Sequence, residues 1–122
     1  MAAKKSFGKA LNAQISNEFA ASQQYVAMAV YYDSETLPRL AAFFYRQAVE
    51  ERNHAMMIVQ WMLDRDLHIS IPGVDEVRGD FDSIVDPIAL ALAQERTVTD
   101  QIKELFATAR AENDFLGEQF ML

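Results

Sequence analysis

Three long segments of this 122-residue chain each carry an apolar stripe at alternating steps of three and four, and each stripe holds a glutamate near its middle. The first reads Leu11, Ile15, Glu18, Ser22, Tyr25, Ala29, Tyr32. The second reads Leu40, Phe44, Gln47, Glu51, His54, Ile58, Trp61, and the third Ile88, Leu92, Glu95, Thr99, Ile102, Phe106, Ala109. The spacing is that of amphipathic α-helices, and the scarcity of glycine (four) and proline (three) favours long helices over sheets. A stripe that buries a carboxylate must offset it. A lone buried carboxylate costs several kcal/mol, and three close together repel one another. Something cationic is implied, and carboxylates joined by one imidazole are ligands for iron.

The segments predict an all-α chain forming one domain over residues 1–122. The first helix is expected over 6–32 and the second over 38–66, with Pro38 in its first turn. A connection follows over 67–86, marked by Pro72-Gly73 and four aspartates. The third helix runs over 87–112, with Asp86 as N-cap and Pro87 at its first position. Residues 114–122 read as the opening of a fourth helix, and the chain stops at Leu122.

The glutamates are level with one another. A short loop makes the first two helices an antiparallel hairpin. The midpoint between Glu18 and Glu51 is position 34.5, and that between Glu18 and His54 is 36; the expected loop, 33–38, centres at 35.5. A connection of about twenty residues spans roughly 60 Å when extended, enough to return along a helix roughly 40 Å long. The third helix then lies parallel to the second, with Glu95 within about one helical turn of Glu51. Glu51 and His54, three apart, point to one place on the second helix. The competing reading of these residues is a polar cluster hydrogen-bonded to Gln47 and Tyr25.

Other features narrow the function. A net charge of −7 argues against a nucleic-acid surface and suits either cation attraction or plain solubility. With no cysteine there are no disulfides or thiolate metal sites. No signal peptide or membrane span is visible, so the cytoplasm is the expected compartment. Asp75, Asp80, Asp82 and Asp86 lack calcium-loop spacing and read as caps and turns. His68 reads as a solvated histidine, and Met56, Met57 and Met62 as core filler.

The chain resembles the non-haem bacterial ferritins over essentially its whole length. The resemblance is carried by Asn17-Glu18-Phe19 and Gln24-Tyr25, by the run Ala48-Val49-Glu50-Glu51-Arg52-Asn53-His54-Ala55, by Gln94-Glu95 and by Ile71-Pro72-Gly73. It implies an up-down four-helix bundle with one long crossover between the second and third helices, assembled into a shell of about 24 subunits. It further implies a di-iron ferroxidase centre that oxidises Fe(II) with dioxygen and stores the product as mineral. Glu18 and His54 would bind the first iron, Glu51 would bridge, and Glu95 would bind the second. Tyr25 would sit beside the centre, Glu50 would serve an accessory iron site, and Asp114 would line an ion channel. Val98, three after Glu95, departs from the second Glu-x-x-His of bacterioferritins and rubrerythrins, and no haem is expected. The fourth helix is largely missing, which would leave one ligand of the second iron absent and an apolar groove of several hundred Å² uncovered. Two functions follow: an iron-storing ferroxidase, or a shortened ferritin-like helical module that binds iron with little oxidase activity.

Overall fold

The computed structural model describes residues 2–121. It is built from four helices: α1 (Ala2–Ser34), α2 (Pro38–Asp64), α3 (Asp86–Ala111) and the short α4 (Phe115–Phe120). The all-α class and the bundle order agree with the stripes. Leu122, the end of the expected fourth-helix segment, and Met1 lie outside the described residues.

α1 carries the pattern almost without error. Leu11, Ile15, Glu18, Tyr25, Ala29 and Tyr32 are buried, and Ser22 is half-buried. On α2 the buried face is turned one position toward α1, through Ala41, Phe44, Ala48, Glu51, Ala55, Ile58 and Met62. Alanines at 41, 48 and 55 form a seam at heptad spacing. Small side chains let helices approach closely, and here Ser22 Oγ on α1 donates to the Ala48 carbonyl at 2.6 Å. The residues on the far side of the expected stripe, Leu40, Gln47 and Trp61, are half-buried, and His54 is exposed.

The third stripe departs most. Ile88, Leu92, Glu95 and Thr99 are exposed, while Pro87, Leu105 and Ala109 are buried. α3 packs on α1, and α2 packs on α1, but α2 and α3 make no close contact with each other. They stand diagonally across the bundle. The stripe of α3 therefore points along an open groove opposite α1, which no described helix fills. An apolar cavity of about 580 Å³ lies there, lined by Leu40 and Phe43 of α2, Ile88 and Leu92 of α3, and Tyr25 beneath. The stripe identified the axis of a four-helix arrangement, and three long helices leave that side uncovered.

The connection returns along α1 and is clamped to it by polar side chains in matching order. Asn12 donates to the His68 carbonyl (2.9 Å) and accepts from Ser70 N (2.8 Å). Gln24 donates to the Arg78 carbonyl (2.8 Å) and accepts from Arg78 N (3.1 Å). Tyr32 donates to the Ile84 carbonyl at 2.6 Å. The extended segment thus has its backbone groups partly satisfied by amides that mimic a strand neighbour. Asp86 is the first residue of α3 rather than its cap; its side chain turns back to accept from Asp82 N (3.2 Å) and to pair with Arg78 (3.7 Å).

Two apolar clusters result. One joins Phe7, Leu11 and Ile15 to Ile58, Met62, Leu105 and Ala109. The other joins Tyr25, Met28 and Tyr32 to Ala41, Phe44 and Ala48. Trp61 closes the first against α4, stacked on Phe120 at 4.9 Å with the Arg65 guanidinium 4.9 Å from its ring centre. Asp114 caps α4 by accepting from Gly117 N at 2.8 Å.

All three long helices end in the same way. The residue past each end, Thr36, Asp66 or Asn113, has φ of 59°, 55° or 56°. The following amide reaches five residues back, as Leu37 N to Tyr32 O (2.9 Å), Leu67 N to Met62 O (3.0 Å) and Asp114 N to Ala109 O (2.9 Å). These are Schellman ends, which favour glycine or asparagine at the left-handed position. Threonine, β-branched, is the poorest fit of the three. Thr36→Gly is expected to stabilise the fold by about 1 kcal/mol, read as a raised Tm in a thermal melt; an unchanged or lowered Tm would show that the strain is absorbed elsewhere.

Candidate metal centre

Between the two apolar clusters lies a polar layer. Glu18 projects from α1 and Glu51 from α2, with relative exposures of 1% and 4%. Both fall on faces that the helical period commits to the interior, so the same pattern that builds the core carries the carboxylates inward. His54, one turn beyond Glu51, reaches the same place from the solvent side, its side chain about half exposed. Its Nδ1 lies 3.6 Å from Glu51 Oε2 and 3.9 Å from Glu18 Oε2. One potential ligand atom from each residue falls within 4.8 Å of the others.

The hydrogen bonding of this layer is incomplete in a specific way. Glu18 Oε1 accepts from Gln14 Nε2 at 2.9 Å, but Glu18 Oε2 and Glu51 Oε2 accept nothing among the described residues. Buried carboxylate oxygens are otherwise satisfied in folded proteins, so two orphans facing one imidazole call for an explanation. A divalent cation would supply it, since one potential ligand atom of each residue points to the same place. Burial, then the adjacent Glu18, then the charges of Glu95 and Glu50 push the Glu51 carboxyl up to about 9. Two acids in one low-dielectric site cannot both ionise cheaply without a positive partner.

Glu95 stands apart from this triad. It is exposed, and its Oε1 accepts a hydrogen bond from the Tyr25 hydroxyl. Burial, reinforced by that carboxylate, raises the Tyr25 phenol above its ordinary range and holds it as a neutral donor. Glu50 is exposed on α2 and His68 in the connection. Gln47 sits beside Glu95 and Tyr25 along the open groove. The sequence reading did not single out Gln14. Its position four residues before Glu18, on the same helical face, was the available signal.

A family model for the ferritin-like domain matches residues 8–122. The chain belongs to the ferritin family. Ferritin BfrB of Mycobacterium tuberculosis is 65% identical over 118 residues, covering 97% of this chain. The chain spans 65% of that relative's length. The bacterial non-heme ferritin of Staphylococcus aureus is 36% identical over 117 residues, covering 96% of this chain and 70% of its own. An open pore ferritin from the archaeon Archaeoglobus fulgidus superposes with a TM-score of 0.93 at 30% identity, covering 99% of this chain and 74% of that one. The diagonal placement of α2 and α3 and the long return connection of this ferritin thus have close counterparts among solved folds.

The raised Glu51 carboxyl links the site to stability. In the unfolded chain it loses its proton near 4.5, and in the metal-free fold near 9. Between these values unfolding releases a proton, so rising pH favours the unfolded state. The metal-free protein is expected to lose stability as pH rises across that window, and Glu51→Gln to flatten the loss and melt higher at pH 8. Thermal melts in chelator at pH 5 and 8 test this; a wild-type Tm rising with pH over that range would refute it.

Proposed function

We propose that this chain, as a single cytoplasmic domain, binds ferrous iron at Glu18, Glu51 and His54 and promotes its oxidation by dioxygen for storage within a self-assembled shell. The supporting observation is the pair of buried carboxylate oxygens without donors, aimed at one imidazole inside a ferritin fold. Hard carboxylates and one nitrogen suit iron and favour its ferric state, while leaving coordination positions free.

In this reading Glu18 and His54 hold one iron and Glu51 lies between it and a second. Glu95 is the proposed ligand of the second, with Tyr25 orienting its carboxylate through their hydrogen bond. Glu50, on the exposed side of α2, is the proposed accessory iron ligand. Each ferrous ion gives up one electron, and one dioxygen takes two. Half-exposed His54 stands where an ion arrives from solvent, and the acids behind it have no other counter-charge at the unpartnered oxygens. The relatives named ferritins support the storage role and the shell, proposed as about 24 copies.

A second reading has one observation in its favour. Glu95 lies outside the close triad and is engaged by Tyr25, so one metal position is better formed than the other. A chain of this kind binds one cation well and oxidises slowly.

Aerobic Fe(II) oxidation, followed by loss of chelatable ferrous iron, separates the two. The wild type is expected to exceed buffer alone, and Glu51→Ala or His54→Ala to lower the rate at least about tenfold. A wild-type rate equal to buffer, with cobalt(II) still bound, would discard oxidation in favour of the binding module.

A further inference from the structure

We propose that Gln14 is a positioning residue of the metal centre: it ties one oxygen of Glu18 and so presents the other, singly, to the cation. This rests on the reading that Glu18, Glu51 and His54 bind iron, and it assigns a role to a residue that does not itself touch the metal.

Gln14 is 2% exposed and sits on the inner face of α1, one turn before Glu18. An uncharged amide at such a position contributes little to an apolar core and must find partners for its polar atoms. It has three. Nε2 donates to Glu18 Oε1 at 2.9 Å and, more weakly, to Gln101 Oε1 on α3 at 3.4 Å. Oε1 accepts from Asn17 Nδ2 at 3.2 Å.

These contacts fix which way the amide faces. Exchanging its oxygen and nitrogen would set Gln14 Oε1 against Glu18 Oε1 and Gln101 Oε1, both acceptors. It would also set an NH₂ group against that of Asn17. The Glu18 carboxylate, which only accepts, is the neighbour that requires the donor end of Gln14 toward it, and the amides of Gln101 and Asn17 turn to match.

The consequence lies at the carboxylate. With Oε1 engaged, Glu18 is restrained from turning about its terminal bond to offer both oxygens equally. Oε2, which has no donor and lies 3.9 Å from His54 Nδ1, is left as the single ligand atom. One-pronged ligation keeps coordination positions open at the metal. Outer hydrogen bonds of this kind orient ligands and commonly account for 10–100-fold in affinity or activity. Gln101 extends the effect to α3, so the helix that carries Glu95 also bears on the geometry of Glu18. Asn17, half-buried, holds the far end of Gln14.

The alternative is that Gln14 merely satisfies a buried oxygen and stabilises the fold. Anaerobic titration with cobalt(II), read by its visible absorption band, distinguishes the two, because the band reports ligand number and geometry. Gln14→Met keeps length and helix propensity but removes the donor. It is expected to weaken cobalt(II) binding about 10–100-fold and to change the band shape. Asn17→Ala, at the half-buried end of the network, is expected to give a smaller shift in the same direction. A folded Gln14→Met protein with wild-type affinity and band shape overturns the proposal. If Gln14→Met does not fold, Asn17→Ala decides in its place, and a wild-type affinity and band there overturn it equally. A wild type that binds no cobalt(II) removes the metal-site reading itself, and this proposal with it.

Discussion

Two carboxylates buried at mid-height, each with an oxygen that none of the described residues donates to, set the terms for the rest of this structure. Glu18 and Glu51 lie between two apolar clusters, which exclude water above and below them. Low local dielectric makes the unpaired state costly and the cation-bound state strong. Burial and the adjacent Glu18 raise the Glu51 carboxyl and so favour its neutral form in the metal-free fold, and a bound cation would take over that role. The close α1–α2 seam is part of the same arrangement. Alanines at 41, 48 and 55 bring the helices near enough for potential ligand atoms from both to lie within 4.8 Å of one another.

α3 answers to a different set of contacts. It is held by α1 and by the connection clamped along α1, and its backbone stands away from that of α2, which it meets only through side chains of the shared cluster at one end. Its antiparallel register on α1 is visible in three polar links: Gln14 with Gln101, the Ala21 carbonyl with Gln94, and Tyr25 with Glu95. Glu95 is consequently delivered beside Tyr25 and along the open groove rather than into the triad. Tyr25 bridges the difference, reaching from the buried face of α1 to the exposed carboxylate.

How much of this was legible in the sequence depended on what each residue packs against. The α1 stripe was read almost in full because α1 is covered on its inner side by both neighbours. On α2 the expected Phe44, Glu51 and Ile58 are buried, but Leu40, Gln47, His54 and Trp61 each stand one position before the residue that is. Leucine, tryptophan and histidine weigh more in a pattern than the alanines at 41, 48 and 55, although the alanines make the tighter contact. The α3 stripe located the bundle axis correctly and burial incorrectly, because an apolar period reports where a helix expects company and not whether company is present. Gln14 and Asn12 were passed over, and Gln24 was noted only for its motif, because an amide on a helix looks like surface until its partner is known. Their partners lie 54 to 87 residues away across the fold or, for Glu18, one turn along. The left-handed ends at Thr36 and Asp66 gave no warning either, since neither is the glycine that usually marks such a position.

The proton on Glu51 couples the two faces of the molecule's chemistry. A ligand carboxylate must be deprotonated to bind a metal, so a cation held by Glu51 below its raised pKa would expel a proton and would bind more tightly as pH rises toward it. The metal-free fold behaves oppositely, losing stability over the same range, because there the negative charge has no counter-ion. Both trends come from one carboxyl group in one desolvated position. A residue chosen for stability would relieve the strain, as an amide would at position 51. A glutamate keeps it, and the cost of ionising Glu51 without a counter-ion is what a bound cation would relieve. His54, half exposed at the rim, stands within 4 Å of both carboxylates on the side that faces solvent.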